Sequence, residues 1–192
     1  MSGLILAGGQ SLRMGQDKAT LVFDGEPLLA RVARLLGHAC DEILVASGDG
    51  TRLEAFGLPQ VADVVPDAGP LGGLVAGLER ATNPLVAAVA VDMPFVSAPL
   101  LRALAHLWTV EDAIVPVTDR GPEPLHAVYA RAAAVPLRRR LDDGVFALRR
   151  ALATLRMRFV DEPVWREADP SGGFARNLNA PADLGETAPP RV

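Results

Sequence analysis

The stretch Leu6-Ala-Gly-Gly-Gln-Ser-Leu-Arg-Met-Gly-Gln-Asp-Lys18 continues a short apolar run, Ser2-Gly-Leu-Ile-Leu-Ala7. The run predicts a β-strand. Gly8 and Gly9 then let the backbone turn sharply and bring its N–H groups close to an anion. Of 19 Lys and Arg residues, Lys18 is the only lysine. Where a general positive charge serves, this chain uses Arg, so its one Lys marks a place for a compact ammonium that a wide, planar guanidinium cannot replace. Phosphate is the natural partner. Strand, glycine turn, Arg13 and Lys18 together predict the first strand and phosphate-facing loop of a nucleotide-binding α/β fold.

Spacing excludes two familiar phosphate loops. A Walker loop needs Gly, four residues, then Gly-Lys-Ser/Thr, whereas Gln16-Asp17 separate Gly15 from Lys18 and Ala19 follows. No third glycine completes a dinucleotide-type Gly-x-Gly-x-x-Gly after Gly8.

At 192 residues with 49% hydrophobic composition, the chain suits one well-buried domain. A net charge of −4 argues against a general nucleic-acid or membrane-surface binder. Cys40 has no second cysteine to pair with, and His38, His106 and His126 show no zinc-ligand spacing. A reducing cytoplasm is the expected compartment. The start of the chain lacks the basic flank of a signal peptide, and the most apolar stretch, 85–91, is far too short to cross a bilayer.

Strand and helix patterns alternate along the chain. Strands are predicted at 21–23, 42–46, 61–65, 85–91, 113–117, 125–129 and 157–160. Helices are predicted at 27–37, 52–56, 70–81, 98–108 capped by Ser97, 130–141 and 145–155. The run 85–91 is apolar throughout, as a central parallel strand covered on both faces requires. The alternation predicts an α/β fold: a three-layer, doubly wound sandwich with a mostly parallel sheet over residues 1–184, followed by a flexible tail at 185–192. Ligands of such sheets bind outside the carboxyl ends of the strands, where Gly8, Asp67 and Asp92 fall.

Asp92, in Val91-Asp-Met-Pro-Phe95, stands just past the apolar strand, a poor place for a carboxylate unless a cation neutralises it. Mg²⁺ takes one or two carboxylates together with substrate phosphates, so one such Asp facing a triphosphate is chemically sufficient. In Asp67-Ala-Gly-Pro-Leu-Gly-Gly73, Gly72 and Gly73 leave a surface that a flat base can approach. Asn177 and Asn179 are alternate residues of an extended segment and share one face. His126 is a candidate for phosphate binding or proton transfer, although a lone His among apolar residues is more often structural. The arginines at 131, 138, 139, 140, 149, 150, 156 and 158 read as solvated helix faces, some of them available to an anionic acceptor.

The pattern Leu-Ala-Gly-Gly-x-Ser-x-Arg-Met-Gly-x-Asp-Lys at 6–18 resembles the nucleotidyltransferase signature at every specified position. Asp-x-Pro at 92–94 and Asn-x-Asn-x-Pro-x-Asp-Leu at 177–184 follow in the family's order. Within that superfamily the chain is most similar to the molybdenum cofactor guanylyltransferases of the MobA family. The resemblance implies a nucleotidyltransferase Rossmann-like fold and transfer of GMP from GTP to the terminal phosphate of Mo-loaded molybdopterin, with release of pyrophosphate. It implies nucleotide contacts from Leu6, Ala7, Gly8, Gly9, Lys18, Asp67, Gly72 and Asp92. Catalysis falls to Lys18, Arg13 and Asp92, with Mg²⁺ on Asp92. It places His126, Asn177 and Asn179 on the acceptor side, and implies transient contact with molybdoenzymes or cofactor chaperones, with no nucleic-acid or membrane partner. One departure is the run Val45-Ala-Ser-Gly48, where family members often carry an Asn; a contact there falls to Ser47 or the Gly48 backbone. The alternatives are a molybdopterin cytidylyltransferase, another small nucleotidyltransferase, or an adaptor that holds GTP without turnover.

Overall fold

The computed structural model describes residues 1–8 and 17–178. Gly9, Arg13, Asn179 and the expected tail at 185–192 lie outside the described residues. β1 (Ser2–Leu6) is buried along its length. Successive strand side chains point to opposite faces, so Ile5 enters one hydrophobic cluster while Leu4 and Leu6 enter another. Next comes a hairpin of β2 (Val22–Phe23) and β3 (Glu26–Pro27). Its turn residues Asp24 and Gly25 have φ of 57° and 79°, the paired left-handed conformation of a type I′ turn. α1 (Leu28–Leu36) then lays Leu28, Leu29, Val32 and Leu36 on the Ile5 face.

The chain continues through β4 (Glu42–Gly48), β5 (Gln60–Ala62), α2 (Pro70–Arg80), β6 (Leu85–Ala90) and α3 (Ala98–His106). It ends with β7 (Ala113–Thr118), β8 (Gly121–Pro122), β9 (His126–Ala130), α4 (Ala134–Asp142), α5 (Leu148–Leu152), β10 (Met157–Val160) and α6 (Glu162–Trp165). The main sheet runs β10-β7-β9-β6-β1-β4-β5, with β8 paired to β7. β9 is antiparallel to both its neighbours, and the remaining pairings along this path are parallel. Its reversal has a simple cause. The connection at 119–125 is too short for the crossover of about a dozen residues that a parallel return needs.

Helices cover both faces. α1, α3 and α6 pack with Ile5, Val45 and Val89, whereas α2, α4 and α5 pack with Leu4, Leu44 and Val86. Full burial of each such leucine or valine is worth roughly 1.5–3 kcal/mol of transfer free energy, before the entropy of ordering is set against it. α2 sits unusually close to the sheet. A Cβ on Gly77 would lie 2.3 Å from Leu4 Cδ2, and one on Gly73 would lie 2.9 Å from Ala46 Cβ. These two glycines, one helical turn apart, are therefore a packing stripe that lowers the helix onto β1 and β4.

Several expected boundaries move. The strand expected at 61–65 ends at Ala62, where the chain leaves the sheet. The helix expected from 130 begins only at Ala134, because β9 runs through Ala130 and a 3₁₀ turn occupies Arg131–Ala133. Pro136 then falls in the first turn, where a missing N–H leaves no intrahelical bond unmade. The helix expected at 145–155 shortens to Leu148–Leu152, since Ala147 is extended and Gly144 has φ of 75°. Ser97 does cap α3, its Oγ accepting the Leu100 N–H at 3.4 Å.

Candidate active site

β1 lies between β4 and β6, with Leu6 in register with Ala46 on one side and Ala90 on the other. From β1 the chain first moves outward to β4 and β5, then returns to place β6 on the opposite flank. This reversal of direction opens a crevice at the carboxyl ends of the strands. A cavity of about 260 Å³ occupies it, lined among others by Leu6, Ala7, Gly8, Lys18, Asp92 and Asn177.

Lys18 and Asp92 meet there. Lys18 Nζ donates to Asp92 Oδ2 at 2.8 Å and to the Leu178 carbonyl at 3.3 Å. The Leu178 N–H in turn donates to the Asp92 carbonyl at 2.9 Å. The segment ending at Leu178 thus ties the loop after β1 to the turn after β6. Asp17 sets the position of the lysine: its Oδ1 caps the 3₁₀ turn Lys18–Thr20 by accepting the Ala19 N–H at 3.0 Å. Its other oxygen pairs with Arg52, which also donates to the carbonyls of Ala7 and Ser47. The start and the end of the phosphate loop are therefore braced by one guanidinium.

A second cavity, of about 430 Å³, shares Asp63 and Gly69 with the first and is lined also by Ser47, Arg52 and Asp67. Asp63 Oδ1 and Ser47 Oγ are buried here with no hydrogen-bond partner among the described residues. Burial pushes the Asp63 carboxyl up to about 6, against the pull of Arg52, and Asp67 adds to the rise. Buried, unpartnered oxygens are costly. Both belong to residues that line this cavity, where a bound ligand could supply the missing N–H or O–H donors. A Cβ on Gly8 would lie 3.5 Å from Asp63 Oδ2, so glycine at this position keeps the approach to that carboxylate open.

The remaining candidates fall in different places. Asp67 is exposed, in a left-handed conformation with φ of 58°, on the rim of the second cavity. The half-buried carboxylate with a buried oxygen at this cavity is Asp63, which carries no expectation from the sequence, although it follows a strand end just as Asp92 does. Gly72 is a correction. Its open side faces Ala68 Cβ and the Val65 carbonyl, each 3.2 Å from a Cβ built there, so it packs the loop against itself while Gly73 lines the cavity. His126 is another. It is fully buried, Nε2 accepts the Ser97 N–H at 3.1 Å, and its ring packs on Phe174 at 4.9 Å. Desolvation lowers it to about 4, so it is a neutral structural residue out of reach of an acceptor. The arginines of the later segments are mostly tied to the scaffold: Arg138 to Glu79 and Asp142, Arg140 to Asp143, Arg156 to Asp112.

Among the described residues no group of three or more His, Cys, Asp or Glu side chains could hold a metal on its own. Asp92 stands at one end of the cavity with its side chain one-fifth exposed. This donor set fits Mg²⁺, which binds through one or two carboxylates and is completed by substrate phosphates and water. It does not suit an ion that demands a closed protein cage.

Fold and site together define a nucleotidyltransferase: an open α/β sheet with a lysine–aspartate pair at its switch point and a polar pocket beside it. A family model described as the MobA-like NTP transferase domain matches residues 3–157, and the chain belongs to that family. A probable molybdenum cofactor guanylyltransferase from Chloroflexus aggregans is 38% identical over 190 residues, covering 96% of this chain and 91% of that protein. Among solved structures, molybdopterin-guanine dinucleotide biosynthesis protein A from Archaeoglobus fulgidus superposes with a TM-score of 0.84 at 26% identity, covering 96% of this chain and 95% of that one. The 2-C-methyl-D-erythritol 4-phosphate cytidylyltransferase of Thermus thermophilus shares the fold, with a TM-score of 0.63 at 18% identity and 94% coverage of each chain.

Proposed function

We propose that this protein transfers GMP from GTP to the terminal phosphate of molybdopterin, forming the guanine dinucleotide cofactor and releasing pyrophosphate. The observation that carries the reading is the Lys18–Asp92 pair, 2.8 Å apart in a cavity that shares Asp63 with the pocket beside it. A nucleotide fits this arrangement with its phosphates at Lys18 and its base or sugar at Asp63.

The acceptor phosphate attacks the α-phosphorus in line, the bond to the β,γ-pyrophosphate breaks, and the pyrophosphate leaves. A phosphate monoester is largely ionised near neutrality, so no general base is required. The protein contributes position and charge. Lys18 neutralises the oxygens of the transferring group, a role that the family resemblance gives to Arg13 as well. Asp92 would hold Mg²⁺, which supplies further neutralisation of phosphate charge when bound. Guanine presents N1–H and the N2 amine side by side, matching a carboxylate such as Asp63. Adenine and cytosine set one amine beside a ring acceptor, which would face a carboxylate oxygen with a lone pair and leave it unpaired.

Incubation with GTP, CTP or ATP, each with molybdopterin or a hexose 1-phosphate, and measurement of pyrophosphate tests the reading. Pyrophosphate from GTP and molybdopterin alone is the expected result. Preferential use of CTP would move the protein to cytidylyl transfer, and turnover with the sugar phosphate would remove the cofactor assignment.

A further inference from the structure

Lys18 and Asp92 come from separate parts of the chain, and one side chain that does not line their cavity touches both of those parts. It is Arg31, on α1. Its side chain is only 14% exposed, and the carboxylate paired with it, Asp24 Oδ2, stands 3.8 Å away on an exposed turn. Removing a cation from water is costly unless other groups take the place of water. Here Nε donates to the Pro94 carbonyl at 2.8 Å, and the guanidinium lies 5.2 Å from the centre of the Phe23 ring and 6.0 Å from that of Phe95. A charge-assisted hydrogen bond and two aromatic faces thus replace a close ion pair.

Each contact leads to one half of the Lys18–Asp92 pair. Pro94 and Phe95 belong to the turn Asp92-Met-Pro-Phe95. Phe23 and Asp24 belong to the β2–β3 hairpin, which follows directly on the 3₁₀ turn of Lys18. Leu21 joins that turn to α1: its N–H donates to the Lys18 carbonyl at 3.2 Å, and its carbonyl accepts the Leu28 N–H at 2.9 Å. Lys18, the hairpin and the start of α1 are therefore one hydrogen-bonded unit. Arg31 ties this unit to the turn of Asp92, and the edge-to-face contact of Phe23 with Phe95, 5.6 Å between centroids, packs the same joint.

Arg34, one residue short of a full turn further along α1, gives the contrast. It makes a two-bond pair with Glu26 of β3, at 2.8 and 3.2 Å. Those bonds stay inside the unit that carries Lys18. The joint to Asp92 belongs to Arg31.

We infer that Arg31 is a positioning residue of the reaction: through the Pro94 carbonyl and the rings of Phe23 and Phe95 it fixes the separation of Lys18 and Asp92, and with it the placement of Asp92 for the Mg²⁺ it would hold. The inference rests on the reading that Asp92 binds Mg²⁺ at the phosphates of GTP. Its strength follows from geometry, because a shift of about 1 Å in a catalytic group can cost about a hundredfold in rate.

Arg31→Met keeps an unbranched apolar stem and removes the charge and the donors. Arg31→Lys keeps a charge and a donor but loses the flat guanidinium. Arg34→Met is the control, since it loosens α1 from the hairpin and leaves the Pro94 contact in place. GTP affinity is measured by calorimetry without acceptor, in Mg²⁺ and in EDTA, and kcat by pyrophosphate release with molybdopterin. In EDTA, Arg31→Met should bind GTP as the parent does. The gain in affinity on adding Mg²⁺ should fall about fivefold or more, and kcat about tenfold or more. Arg31→Lys should show a smaller loss of both, and carries the test alone if Arg31→Met does not fold. Arg34→Met should match the parent. Added to Asp92→Asn, Arg31→Met should cost less than about twofold further, because it acts through the group already removed.

A parental Mg²⁺ gain and kcat in the Arg31 variants, an equal loss in Arg34→Met, or a full additional loss on top of Asp92→Asn would overturn the role while leaving guanylyl transfer in place. A parent that releases no pyrophosphate from GTP and molybdopterin, yet shows the Mg²⁺ gain and its loss in Arg31→Met, would overturn guanylyl transfer and support the role. A parent whose GTP affinity ignores Mg²⁺ would overturn the reading of Asp92 and this role with it.

Discussion

Lys18 Nζ, on the loop after β1, sits 2.8 Å from Asp92 Oδ2, beyond the end of β6, although 74 residues separate them. Both strands deliver their charge to the crevice because β6 pairs in register with β1, Leu6 opposite Ala90. Replacing Lys18 by Ala is expected to lower kcat by about a hundredfold or more, since one preorganised charge at a transferring phosphoryl group is worth several kcal/mol. Lys18→Arg should fail as well, because a planar fork does not fit beside Asp92 and the Leu178 carbonyl. Pyrophosphate release at parental rates by both folded variants would exclude Lys18 from the chemistry.

Asp92→Asn keeps the shape of the side chain and removes its charge. Activity at saturating GTP should fall by about a hundredfold, and the Mg²⁺ concentration for half-maximal rate should rise, because an amide is a poor ligand for a hard cation. Circular dichroism should be unchanged. A Mg²⁺ titration that overlays the parent's would place the ion elsewhere.

Asp63→Asn separates function from stability. The Asp63 carboxyl is raised to about 6 in the folded protein, against about 3.9 for a free Asp. A raised folded value means that ionisation weakens the fold: the penalty is absent below about pH 4, grows as the pH rises towards 6, and is complete above it. The amide avoids this penalty, so at pH 8 the variant should be more stable, by about 1–2 kcal/mol after discounting for partial solvent screening. Melting temperatures should converge at pH 4. GTP affinity should drop at least tenfold, because the acceptor for the nucleotide's donors is weakened. A variant that binds GTP normally would remove Asp63 from the nucleotide site.

His126→Gln should leave the pH dependence of kcat between pH 6 and 8 unchanged, because the buried ring neither titrates in that range nor faces the cavity. Stability should respond instead. Folded His126 is lowered to about 4, so as the pH falls below about 6.5 the unfolded chain takes up a proton that the folded one refuses. Stability contributed by the neutral ring is therefore present above about 6.5 and lost towards 4, on the order of 3 kcal/mol in all. Thermal melts from pH 7 to 4 should fall less steeply in the variant. A shifted kcat profile would return His126 to the chemistry.

Much of the fold was legible in the chain because parallel strands buried on both faces leave a continuous apolar run. The run at 85–91 and the alternation of periods announced a doubly wound sheet. Lys18 stood out by composition, and Asp92 by its place after a strand. Sequence patterns were weaker where a local signal had two meanings. Gly72 and Gly73 look alike in the chain, yet one packs against Ala68 and the other lines the cavity. Asp67 stands beside the glycine-rich turn, whereas Asp63 is hidden in a plain Val-Ala-Asp-Val run.

The sequence by itself determined the alternation of elements and the residue types able to handle phosphate and a hard cation, since both follow from local periodicity and side-chain chemistry. Only the tertiary structure decided which carboxylate turns a buried oxygen into the pocket and which histidine is sealed in the core. Burial and juxtaposition are set by strand order and helix packing. They bring Lys18, Asp63, Asp92 and Asn177 to one crevice from four separate segments, through contacts that no local stretch of chain encodes.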